Sequence, residues 1–90
     1  MATMKIKKGF VLRSVGGENI VVPVGEVSKQ FHGMIQLNES GAFLWNFYKE
    51  EHTKEQGVEA LLAEYEVDKE TAERDVTAFL DTLVKHKFSE

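Results

Sequence analysis

The chain of 90 residues contains no cysteine. That excludes a disulfide framework, a thiolate nucleophile and a cysteine-held metal, and it makes a reducing cytoplasm the expected compartment. There is one proline and no low-complexity tract, so nothing reads as a linker. Long uncharged apolar runs are missing too, and MATMKIKKGF at the N-terminus has three lysines without the apolar stretch or small-residue cleavage site of an export signal. A soluble, unexported protein away from membranes is expected.

The chemical motifs are equally sparse. Neither G-x-G-x-x-G nor G-x-x-x-x-G-K-[ST] occurs, and Ser14, Ser28, Ser40 and Ser89 lack the context of a nucleophile elbow. His32, His52 and His86 are far apart, with no i, i+4 partner to build a metal site. Acidic pairs such as Glu50 with Glu51, or Glu70 with Glu73, read as solvated helix positions. No catalytic residue, no metal and no cofactor is therefore expected. This is a chain that holds something rather than one that reacts with it.

Positive charge is scarce where helices are expected. The net charge is −4, but residues 49–90 carry six basic against twelve acidic side chains, while residues 1–48 carry five against three. Nucleic-acid affinity comes largely from Lys and Arg displacing counterions, so an acidic helical half argues against a nucleic-acid partner.

What is present is the pattern of one α+β domain over residues 1–90. FVLRSV, 10–15, and NIVVPV, 19–24, suit strands, and Gly16 and Gly17 between them take positive φ without penalty, which predicts a β-hairpin. Pro23 lacks an amide donor and belongs at an edge, a bulge or an unpaired position. GEVSKQFHG, 25–33, reads as an ordered loop anchored by Val27 and Phe31. Met34 to Leu37 form a third short strand, and Asn38 ends it as a helix N-cap, with Glu39 adding charge that suits a helix start.

The first helix carries Ala42, Phe43, Leu44, Trp45, Phe47 and Tyr48, apolar around more than half its circumference, so it must be covered on two sides and Trp45 belongs in or near the core. Gly41 is expected to let another backbone approach closely, and Gly57 to weaken the second helix. Thr53 with Gln56 fits a capping box ahead of Val58, Leu61, Leu62 and Tyr65. Asp68 caps a third helix whose stripe is Ala72, Val76, Phe79, Leu80 and Leu83, acidic at its start and basic at its end.

The block GMIQLNESGAFLWNF resembles the coenzyme PQQ synthesis protein D family, the PqqD-like domains also called RiPP recognition elements. VVPVGE, FHGMIQLNESGAFLW, EALLAEYEV and DKETAERDVTAFLDTL follow the family in order and spacing, over about residues 5–88. The resemblance implies a winged-helix-like fold, a three-stranded antiparallel sheet followed by a three-helix bundle. It also implies a non-catalytic role: capturing the leader segment of a ribosomally made precursor peptide and presenting it to a modifying enzyme, often a radical SAM enzyme. Family members add the leader as a further strand beside the last helix.

Carried to this chain, the peptide-binding strand is Gly33, Met34, Ile35, Gln36 and Leu37, with Ile35 as a ladder donor. On the helix, Glu73, Thr77 and Val84 lie along one flank of the Val76–Leu83 direction, and Asp75, Thr82 and His86 along the other. Val84 is apolar and off the stripe's centre, so Glu73, Thr77, Leu80 and Val84 are expected to wall the groove. The acidic half would suit a leader with basic residues. Two further readings stay open, a nucleic-acid-binding winged helix and a self-pairing scaffold in which the strand edge forms a homodimer.

Overall fold

A hairpin joins β2 (Phe10–Val15) to β3 (Glu18–Pro23) in antiparallel register, with Val15 opposite Glu18. Its two-residue turn is Gly16–Gly17, at φ 59° and 82°, the doubly positive pair that matches the right-handed twist of the flanking strands. β4 (Ile35–Leu37) pairs antiparallel on the far side of β3, giving the order β2-β3-β4. The computed structural model describes residues 3–25 and 34–89. Val27 and Phe31, the expected loop anchors, lie outside the described residues, as does Gly33.

Three helices follow, each opened by the cap its sequence demands: α1 (Glu39–Phe47) by Asn38, α2 (Lys54–Glu64) by Thr53, and α3 (Lys69–Lys85) by Asp68. The capping box is complete, since the Gln56 amide donates to Thr53 Oγ1 at 3.1 Å and the Thr53 amide donates to Gln56 Oε1 at 2.8 Å. Asp68 accepts the Thr71 amide at 2.7 Å, and the Thr71 side chain together with that amide lowers its carboxyl from its ordinary value. The fold is α+β and winged-helix-like.

Leu44, Trp45, Tyr48, Val58, Leu61, Ala72, Val76, Phe79 and Leu83 form the core under the sheet, with Val21 from β3. Trp45 is buried as expected, although its indole N–H has no acceptor among the described residues. Leu80 is only half-buried against this core.

Two features have no counterpart in the sequence pattern. β1 (Thr3–Met4) pairs antiparallel with β5 (His52–Thr53), and Ile6 bridges to Ser89. The Ile6 amide donates to the Tyr48 carbonyl at 2.9 Å and the Lys7 amide to the Phe88 carbonyl at 2.8 Å, so the lysine-bearing N-terminal segment is stitched to the helical bundle. At the other end, the Phe88 amide donates to the Leu83 carbonyl and the Lys87 amide to the Val84 carbonyl, a Schellman close with Lys87 at φ 58°. It turns Phe88 back into the core, against Phe10 and Trp45 at ring-centroid distances of 4.5 and 5.7 Å.

Gly57 also has a different use from the one expected. A Cβ there would collide with the Tyr48 hydroxyl and come within 3.0 Å of Tyr48 Cζ. The helix gives up about 1 kcal/mol of propensity to admit a fully buried ring whose hydroxyl donates to the Thr53 carbonyl at 2.8 Å. Gly57→Ala should therefore destabilise by about 1–2 kcal/mol in chemical denaturation despite its better propensity. In a Tyr48→Phe background that cost should shrink by about 1 kcal/mol.

Burial, reinforced by Glu55, pushes the Tyr48 phenol up from 10.0 to about 12, against the opposing effect of a Gly57 backbone hydrogen bond. Between those values the unfolded chain releases this proton while the folded chain keeps it. The Tyr48 contribution to stability is thus complete below pH 10 and lost as pH rises toward 12. Tyr48→Phe should flatten that part of an alkaline denaturation profile.

Candidate functional site: the outer edge of β4 and its cleft

The direction in which each backbone group of β4 points follows from one hydrogen bond in the hairpin. The Val24 amide donates to the Gly9 carbonyl at 2.8 Å, so in the same register Val22 and Ile20 turn their backbone groups toward β2. Val21 and Asn19 therefore face β4, where their partners are Ile35 and Leu37. Ile35 and Leu37 spend their N–H and C=O groups on β3. Met34 and Gln36 turn theirs outward, and among the described residues these find no partner.

Pro23 fits this alternation, since its missing donor falls on the β4 side, one step beyond the Val21–Ile35 pair. The ladder donor expected of Ile35 is thus an internal one, and Gln36 is the strand residue that offers a free donor and acceptor together. Met34 precedes the strand proper and is 68% exposed.

The strand runs into α1 with a single residue between them. Asn38 is extended, at φ −76° and ψ −178°, and its side-chain oxygen accepts the Gly41 amide at 2.7 Å and the Ser40 hydroxyl at 3.2 Å. Gly41 was expected to admit another backbone. Its Cβ position instead falls 3.0 Å from Asn38 Oδ1 and 3.3 Å from Leu37 Cβ, so the glycine makes room for the cap and the strand's last side chain.

This junction lays β4 beside α3. The two border a cleft of about 190 Å³ lined by Gln36, Leu37, Asn38, Ser40, Gly41, Asp75, Ala78, Phe79 and Thr82. The helix flank that meets the strand edge is thus the one carrying Asp75 and Thr82. Glu73 lies on the α2 side, in a larger hollow of about 460 Å³ shared with Lys54, Val58, Leu62 and Lys69. Thr77 borders a third depression with Lys54, Glu70, Arg74 and Asp81. Leu80 packs toward the core, and Val84 stands 61% exposed and lines none of these hollows. The structure brings Gln36 and Leu37 together with α3, but not through Glu73, Thr77, Leu80 or Val84.

Among the described residues the cleft mixes an apolar floor, Leu37, Ala78 and Phe79, with small polar groups and one carboxylate, and is lined by no Lys or Arg. Among the described residues no group of three or more His, Cys, Asp or Glu is placed to hold a metal ion, and no helix is long and apolar enough to cross a membrane. What the arrangement offers is main-chain hydrogen bonding along one edge and side-chain contact along one wall.

The model of the family Coenzyme PQQ synthesis protein D (PqqD) matches residues 10–88. A solved structure of TbiB1 in complex with the TbiA(beta) leader peptide superposes with a TM-score of 0.72 at 29% identity, covering 97% of this chain and 95% of that one. No curated protein sequence matches the chain.

The junction is open to a direct check. Asn38→Ala should cost about 1 kcal/mol, with faster amide exchange in Ile35–Leu37 as the cap is lost. Gly41→Ala should destabilise as well, by displacing Asn38 or Leu37.

Proposed function

Because the chain belongs to the PqqD family, we propose that it is a non-catalytic binder of the leader segment of a ribosomally made precursor peptide, which it presents to a modifying enzyme. The leader adds as a fourth strand to the outer edge of β4 and lies in the cleft against α3. The observation that carries this reading is the outward-facing backbone of Met34 and Gln36 beside the Asp75–Thr82 flank.

Main-chain bonds to this edge accept many sequences, each contributing about 0.5–1.5 kcal/mol net, and the cleft supplies discrimination through alternate side chains. The TbiB1–leader complex supports a peptide as the occupant, since that protein resembles this one over nearly its whole length. The exposed Met34 adds apolar surface at the strand's entrance. A cleft whose described lining carries a carboxylate and no Lys or Arg is, by contrast, unsuited to phosphates.

Titration of ¹⁵N-labelled protein with synthetic leader peptides, the TbiA(beta) leader among them, should shift the amides of Met34–Asn38 and Asp75–Thr82. Shifts confined to the α2–α3 hollow would overturn the site. Gln36→Pro removes the outward donor without breaking the β3–β4 ladder, and should weaken binding by about tenfold or more while the protein remains folded.

A further inference from the structure

We infer that Asp75 selects leaders carrying a Lys or Arg two residues from an apolar residue, its carboxylate pairing with that cation at the Asn38 end of the cleft. This rests on strand addition to β4 as proposed above, and it names which peptides that edge accepts.

In an added strand, the residue opposite Gln36 shares the face of Gln36, and its two neighbours share the face of Leu37 and of Ile35. Ile35 and Leu37 are half-buried and pack against the core, so both neighbours point toward the helices. The one opposite Leu37 enters the cleft where Leu37, Phe79 and Asp75 converge. The other, opposite Ile35, lies two residues further along, beside the apolar Ile35 side chain.

Asp75 is half-buried, and among the described residues its carboxylate has neither a hydrogen bond nor an ion pair. It also borders the adjoining hollow, with Glu39, Asn38, Ser40, Leu61, Tyr65 and Val67, where again no cation is present. Arg74, its neighbour in sequence, is turned away and sits 3.6 Å from Glu70.

A peptide laid over this carboxylate strips more water from it, a cost that is offset only if the peptide brings its own positive charge. Lys and Arg suit the position, because their methylene stems can run along Leu37 and Phe79 while the charged tip reaches Asp75. An acidic residue there would meet both Asp75 and Glu39 and be rejected.

The test is selection from a displayed library of random dodecapeptides on the wild-type protein, Asp75→Asn and Asp75→Lys. Wild type should enrich Lys or Arg two positions from an aliphatic or aromatic residue. Peptides so selected should bind Asp75→Asn about tenfold more weakly, and Asp75→Lys should enrich Asp or Glu at the same position. Unchanged thermal unfolding of both variants would assign the effect to recognition rather than folding.

Peptides that depend on Gln36, through loss of binding to Gln36→Pro, but show no basic position sensitive to Asp75 would overturn this inference alone. A library that enriches nothing, or only peptides indifferent to Gln36→Pro, would overturn the strand-addition reading and this inference with it.

Discussion

The candidate site depends on one short hydrogen bond, from the Gly41 amide to the Asn38 side chain. A helix start leaves amides without partners, and here the residue that satisfies one of them is also the residue that ends β4. With a single extended residue between strand and helix, the direction of β4 is tied to the direction of α1. Because α1 packs on α3, the outer edge of the sheet at β4 is delivered to the side of α3. A longer connection would let the sheet turn independently of the bundle, and the cleft would have no defined wall. Gly41 is part of the same constraint, since any side chain there would crowd both Asn38 and Leu37.

The bundle that receives the strand is held by contacts distant in sequence. Tyr48 is the most connected of these: its carbonyl accepts the Ile6 amide, its hydroxyl reaches Thr53, and its ring lies against Phe79, Phe47 and His52. Phe88 acts in the same way at the opposite end, drawn inward by the Schellman close of α3 and packed on residues from β2 and α1. Both termini of the described chain are thereby built into the bundle. α3, one wall of the cleft, is fixed along its length by Ala72, Val76, Phe79 and Leu83.

Charge is distributed with the same economy. Most of the described acidic residues of the second half are exposed, on the helices and in the connections between them, and Asp68 and Glu70 complement the N-terminal end of α3. Among the described residues, Asp75 alone brings a carboxylate to the cleft beside the strand edge. Under the proposed function, where the other contacts are backbone groups, small polar side chains and the apolar floor of Leu37, Ala78 and Phe79, that carboxylate is the charged group through which one peptide is told from another.

Much of this protein was decided by interactions spanning four residues or fewer, and those are legible in the amino-acid order. Gly16–Gly17 sets the hairpin turn, Asn38, Thr53 with Gln56, and Asp68 set the helix starts, and the Val76–Leu83 stripe sets the buried side of α3. The resemblance of the central block to PqqD-like proteins pointed to β4, the strand at the sheet's outer edge among the described residues. Only the tertiary structure decided which backbone groups of that strand face away from β3, because the parity is inherited through β3 from a hydrogen bond between Val24 and Gly9. It also decided which flank of α3 faces the strand. Asp75 with Thr82 and Glu73 with Thr77 lie on either side of the same stripe, and helical spacing treats them alike. The angle at which β4 enters through Asn38 breaks that equivalence. Ile6 and Phe88, single apolar residues beside lysines, have no periodicity to announce them, and they become core through contacts with residues that are neighbours only after folding.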